Sequence, residues 1–144
     1  MQQRRRAYIY VTREKDGDRQ LLVFAQDDDD SGIQVPGGGI EAHETPLEGM
    51  RREILEEAGL NSFIFERGLV VDEQELVKDG MTFRYERHFF WLSVADAPDT
   101  WDHHVTGNGE DRDMVFHYFW MSHPTQEQLV WDGDYLGLVF PNQV

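Results

Sequence analysis

The chain contains no cysteine, which excludes disulfide staples, thiol nucleophiles and cysteine-bound zinc. Basic residues are scarce: 13 Lys and Arg stand against 28 Asp and Glu, for a net charge of -15. That balance speaks against a nucleic-acid polymer as partner, because polyanion binding wants a basic surface. Long apolar runs are absent too, so no segment is expected to span a membrane. Arg4-Arg5-Arg6 leads into an alternating apolar and polar pattern rather than an apolar block. No secretory signal is therefore expected, and a cytoplasmic location is the default. Repeats, low-complexity tails and linkers are also missing. The 144 residues are read as one domain, 1–144, long enough for a real core.

What is present concentrates in residues 38–60. Thr45 is a good N-cap, Pro46 suits the first helical position, and Glu48 completes a capping box. Gly59 supplies a C-terminal stop. A helix over residues 46–58 follows. Leu47, Met50, Ile54, Leu55 and Ala58 recur at helical spacing and are expected to face the core. Glu53, Glu56 and Glu57 share the opposite side, where like charges one turn apart repel. Val35-Pro36-Gly37-Gly38-Gly39 leads into this helix, and its glycines would let backbone approach a metal or phosphate closely. Arg52 flanks the glutamates and could orient one of them.

The spacing is Gly38, five residues, Glu44, seven residues, Arg52-Glu53-Ile54, one residue, Glu56-Glu57, one residue, Gly59-Leu60. This resembles the Nudix box at every defining position. The resemblance implies a metal-dependent hydrolase of diphosphate linkages, usually in nucleoside diphosphates joined to another group. It makes Glu56 and Glu57 metal ligands and Glu53 a ligand or the general base, and it suggests a role for the Gly38 carbonyl. Glu41 and Glu44 are further acidic candidates. Oxygen ligands of high charge suit hard cations, so Mg2+ is expected, with Mn2+ as a substitute. Such ions would neutralise the glutamates, grip the diphosphate and lower the pKa of a bound water nucleophile. They would also offset the repulsion between an acidic protein and a small polyphosphate. The fold implied by the resemblance is an α/β/α sandwich with a mixed central sheet; periodicity alone says α/β.

Elsewhere, strands are expected at residues 7–13, 20–26, 62–71, 81–94 and 114–121, with a turn at Asp16-Gly17-Asp18. Asp27 to Gly32 partly resembles a calcium loop. Its twelfth position is Gly38 rather than Glu, so a solvated turn is the better reading. Thr125 to Leu138 reads as a closing helix weakened by Gly133 and Gly137.

Asp96 to Asp113 reads as a long polar loop, a common place for function. In it His103, His104, Glu110 and Asp111 are general-base candidates, and Trp101 could stack on a base. Trp101 and Glu110 are thus the candidate substrate contacts. The substrate signatures of ADP-ribose and dinucleoside-polyphosphate members, a proline or a tyrosine beyond the box, are missing from Asp72 to Asp79. The leading substrate is a nucleoside diphosphate derivative. Alternatives are a nucleoside triphosphate, oxidised ones included, cleaved to pyrophosphate, or a non-catalytic ligand sensor. A homodimer is an open reading.

Overall fold

The computed structural model describes residues 2–28, 30–109 and 111–141. Among the described residues seven strands form one sheet: β1 (Gln2–Lys15), β2 (Asp18–Ala25), β3 (Gly37–Gly39), β4 (Ile64–Lys78), β5 (Met81–Ser93), β6 (Thr100–His104) and β7 (Val115–Ser122). Helix α1 spans Pro46–Ala58. The strand order is β4-β5-β1-β2-β7-β6, with β3 paired to β1 off this path. β1 and β5 are parallel and every other pair is antiparallel, so the sheet is mixed.

Alternation along β1 sorts side chains onto two faces. Ala7, Ile9 and Val11 pack with Met50, Ile54 and Ala58 of α1. Tyr10 packs on the other face with Phe89, Leu136 and Val139. That second face is covered by the C-terminal segment, giving the α/β/α layering around the mixed sheet. The cover is not the expected closing helix: it holds two 3-10 turns, Gln126–Gln128 and Leu136–Leu138. Between them Trp131 takes φ 75°, a left-handed conformation that breaks any helix there.

α1 matches its expected bounds, and the cap is as read. Thr45 Oγ1 accepts from the Glu48 N–H at 3.1 Å, and Glu48 accepts from the Thr45 N–H at 2.8 Å. Gly59 closes the helix at φ 75°. The buried face differs from the expected one. Leu47 and Leu55 are 38% and 48% exposed, whereas Glu53 and Glu57 are buried. The helix is rolled so that two of its glutamates turn towards the sheet, and the two leucines are left at the rim.

Two further expectations need correction. β4 runs on to Lys78, and the tight turn at Asp79 (φ 54°) and Gly80 (φ 76°) joins it to β5. Two successive positive φ values fit the hairpin turn that Asp-Gly favours. The supposed loop from Asp96 to Asp113 contains β6, which pairs with β7 from Thr100↔Phe119 to His104↔Val115.

Candidate active site

The site is built where β1 changes partner. Its outer end pairs with β2, while Arg6, Ala7 and Tyr8 pair with the three glycines of β3. β3 runs directly over α1. A Cβ on Gly38 would lie 2.1 Å from the Glu53 carboxylate, and one on Gly107 2.4 Å from the Glu56 carboxyl group. Glycine at both places is thus a condition for the glutamates to sit where they do.

Arg52 organises this acidic flank. Its Nε and Nη2 donate to the two oxygens of Glu44 at 2.7 and 2.8 Å. Nη1 donates to Glu53 at 2.8 Å and to Glu56 at 3.1 Å, and Nη2 also reaches the Gly39 carbonyl at 2.8 Å. The Arg52 fork draws the Glu44 carboxyl down to about 2. Such planar, multidentate bonding is specific to arginine.

Glu53 and Glu57 are 7% and 5% exposed. Burial pushes the Glu53 carboxyl up to about 7 despite its bond to Arg52. Burial, with the charges of Asp111 and Glu53, pushes Glu57 up to about 9, while the Gly37 N–H bonded to it works the other way. Arg6 supplies positive charge from β1, acting on both Glu53 and Glu57. Arg6 was not among the expected site residues; its one signal is a basic residue at the start of a strand that pairs with the glycine run.

Among the described residues no three acidic or imidazole groups converge into a ready cation cage. The geometry explains this, since Glu53 and Glu56 are drawn towards the Arg52 guanidinium rather than towards a common centre. The donor set nonetheless fits a hard cation: carboxylates that burial and mutual repulsion destabilise as anions gain from a positive charge beside them. Gly38, Glu53, Glu56 and Glu57 are the residues that could hold it.

The candidates on the far segment divide between the end of α1, the neighbourhood of Glu57 and the surface. Trp101 lies in β6, its ring stacked on Tyr118 at 5.1 Å and its Nε1 donating to the Ala58 carbonyl at 3.0 Å. His103 is bonded through Nε2 to the Glu56 carbonyl at 2.8 Å. Both tie β6 to the C-terminal end of α1. His104 is exposed, 3.7 Å from Asp113. Asp111 faces Glu57 closely enough for its charge to be felt there. Glu110 lies outside the described residues. Glu41 is exposed, and its backbone N–H donates to Glu44 at 2.8 Å. Asp28 pins its turn by accepting from the Ser31 N–H at 2.7 Å.

No curated protein matches the sequence. Among solved structures, the chain is similar to the dihydroneopterin triphosphate pyrophosphohydrolase of E. coli, with 17% identity and a TM-score of 0.66 over 96% of this chain and 95% of that one. It is similar to the NUDIX domain of Shewanella oneidensis NrtR, complexed with ADP ribose, with 13% identity and a TM-score of 0.62 over 99% and 87% of the two chains. A C. elegans Ap4A hydrolase shares 15% identity and a TM-score of 0.54 over 83% and 80%. At these identities the likeness concerns the fold. The model of the NUDIX domain matches residues 2–134, and with the box complete on a capped helix against a glycine strand, the chain belongs to the NUDIX domain family.

Proposed function

We propose that this protein hydrolyses a diphosphate linkage in a nucleoside diphosphate derivative, with Mg2+ or Mn2+ held by Glu53, Glu56, Glu57 and the Gly38 carbonyl. The observation that carries the reading is the placement of two buried glutamates, Glu53 and Glu57, beside Glu56 on one flank of α1, under a strand of glycines, with Arg52 gripping Glu53 and Glu56. A chain that needed only to pack would not bury Glu53 and Glu57 side by side. Membership of the family together with the intact box makes it a hydrolase of diphosphate bonds. When bound, the cation would offset phosphate charge, polarise the phosphoryl oxygens and favour ionisation of the attacking water.

The chain's own residues do the rest. Arg52 fixes the orientation of Glu44, Glu53 and Glu56 together, which limits the positions their carboxyl groups can take. Glu53, its carboxyl pushed up to about 7 and lying against Gly38, is assigned the role of taking the proton of the attacking water. The Gly37 N–H favours the charged form of Glu57. Arg6 adds positive charge that acts on both of these glutamates.

The leading substrate remains a nucleoside diphosphate derivative, supported by the neighbour complexed with ADP ribose. The name of the E. coli neighbour keeps a triphosphate cleaved to pyrophosphate as the second reading. A sensor without catalysis need not retain Arg52 and all three glutamates. The protein is proposed to work in the cytoplasm as one domain on small substrates, without nucleic-acid polymer or membrane; a homodimer is compatible with this. The test is product release from a panel of nucleoside diphosphate derivatives and nucleoside triphosphates with Mg2+ and with EDTA. Turnover that requires Mg2+ supports the proposal, and no turnover of any member rejects it.

A further inference from the structure

An α-helix leaves the carbonyls of its last four residues without partners inside the helix. In α1 these belong to Leu55, Glu56, Glu57 and Ala58. The Gly59 N–H serves Leu55 at 2.9 Å. The other three carbonyls are met from outside the helix, each by a different side chain. His103 Nε2 donates to Glu56 at 2.8 Å, Tyr118 Oη to Glu57 at 2.8 Å and Trp101 Nε1 to Ala58 at 3.0 Å. The Thr106 N–H adds a second bond to the Glu56 carbonyl at 3.2 Å. A carbonyl only accepts, so His103 carries a proton on Nε2. The last turn of α1 has no basic residue of its own to supply such bonds.

The three donors come from two paired strands. Trp101 and His103 stand two residues apart in β6, which puts both side chains on one face. Trp101 pairs across the ladder with Tyr118 of β7, and their rings stack at 5.1 Å. Tyr118 is 1% exposed and also packs on Phe24. Burial, with the charges of Glu57 and Asp111, pushes its phenol well up, so it stays a donor. The helix end lies close against this group. A Cβ on Gly59 would stand 2.9 Å from His103 Nδ1, and glycine at the stop is what allows the approach.

The carbonyls held in this way belong to two of the glutamates assigned to the cation. Glu56 is fixed at both ends: Arg52 donates to its carboxylate at 3.1 Å, while His103 and Thr106 hold its carbonyl. Glu57 is held by Tyr118 at its carbonyl, and its carboxyl group is buried. Helix ends fray, and a frayed last turn would scatter both carboxylates. Groups at a working site must keep their geometry to within about 0.5 Å. All three donors of this cluster go to the one turn that carries the two ligands.

We infer that Tyr118 and His103 are positioning residues for the cation ligands: by holding the Glu57 and Glu56 carbonyls they set where both carboxylates stand. Trp101 supports the same turn from Ala58. They act through the backbone of the glutamates, not on the substrate. The inference rests on the proposed ligand role of Glu56 and Glu57, but it is measurable without turnover.

Tyr118→Phe removes one oxygen and keeps the ring stack. His103→Leu removes the donor, and His103→Gln returns an N–H at similar reach. Val23→Ala, in the core on the other face, serves as the control for lost stability alone. Mn2+ binding is read by electron paramagnetic resonance without substrate. Steady-state kinetics with the best substrate of wild type give kcat and KM. Tyr118→Phe and His103→Leu are expected to weaken Mn2+ binding about tenfold, the low end of the range for loss of a supporting partner at a metal site. Their kcat should fall in step, with KM little moved. His103→Gln should recover most of both losses. Val23→Ala should bind Mn2+ like wild type despite a lower melting temperature. Wild-type Mn2+ affinity in either Tyr118→Phe or His103→Leu overturns the inference. So does a loss in Val23→Ala as large as theirs, or an equal loss in His103→Gln and His103→Leu. If Tyr118→Phe does not fold, the His103 pair decides. A wild type that binds no Mn2+ overturns the ligand reading of Glu56 and Glu57 and the inference with it. A wild type that binds Mn2+ and hydrolyses its substrate, with variants of equal affinity, overturns the positioning alone.

Discussion

Arg52 holds Glu44 through two separate nitrogens, Nε at 2.7 Å and Nη2 at 2.8 Å, while its remaining nitrogen bridges Glu53 and Glu56. A lysine offers a point charge and cannot make this fork. Arg52→Lys is therefore expected to lower kcat by about 10- to 100-fold, the range for loss of a supporting partner at a metal site. KM should move less. A steady-state comparison showing wild-type kcat in Arg52→Lys would remove the orienting role.

Gly38→Ala separates geometry from ligand chemistry. The new methyl group would overlap the Glu53 carboxylate, which stands 2.1 Å from its position. The carboxylate must move while the backbone stays in place. The expected outcome is a kcat loss comparable to that of Glu53→Gln, about 10²- to 10⁴-fold if Glu53 is the base, with the circular-dichroism spectrum unchanged. Single-turnover rates decide it; an unaltered chemical step in Glu53→Gln would return the base role to the segment carrying Asp111.

Glu57→Gln should lose most activity and yet not lower the melting temperature in EDTA. Glu57 is buried and pushed up to about 9 by burial and neighbouring charge, so the neutral amide avoids the cost of a buried carboxylate. Mg2+ should raise the melting temperature of wild type more than that of the variant, because a ligand that binds only the folded state stabilises it. Equal Mg2+ shifts in the two proteins would argue against Glu57 as a ligand, as would full turnover in EDTA.

Trp101→Ala is expected to destabilise the fold rather than raise KM selectively for nucleotides. Its ring stacks on Tyr118 and its N–H is bonded to the end of α1. Being only partly buried, it should cost about 2–3 kcal/mol, below the range for a fully buried tryptophan. Urea unfolding measures this. Unchanged stability with a raised nucleotide KM would restore Trp101 as a substrate contact.

The Asp132 carboxyl gives a pH signature. Burial pushes it up to about 8, from an unfolded value of about 3.9. Between those values the folded state keeps a proton that the unfolded state has lost. Stability therefore falls as pH rises across this window, by up to about 1.4 kcal/mol per pH unit for this one group. Asp132→Asn should flatten that decline. Chemical denaturation in EDTA from pH 4 to 8 provides the comparison, and parallel curves for wild type and variant would contradict the assignment.

Local chemistry makes α1 legible in the amino-acid sequence: Thr45, Pro46, Glu48 and Gly59 act within a few residues of one another, so their meaning does not depend on the fold. The same holds for the glutamate spacing and for the turn at Asp16-Gly17. The Asp79-Gly80 hairpin is equally local, and that pair, taken as a turn, extends β4 to Lys78. Thr125 to Leu138 misleads because a capping-like start and scattered apolar residues suggest a helix. Its residues instead follow the needs of the second core: Leu129 and Leu136, with Val139 and Phe140 just beyond, are buried against the sheet.

Sequence alone determined the box, its capped helix and the acidic chemistry gathered on it, because these depend on spacing along one turn after another. Tertiary structure decided which glutamates are buried, because the roll of α1 against the sheet is set by packing of Met50, Ile54 and Ala58, not by the helix itself. It also decided that Trp101 is taken up in packing and that Arg6, Arg87 and Asp132 border the far face. Those residues are separated along the chain and meet only because β1, β5 and the C-terminal segment lie side by side. No periodicity within any one of them could announce the meeting.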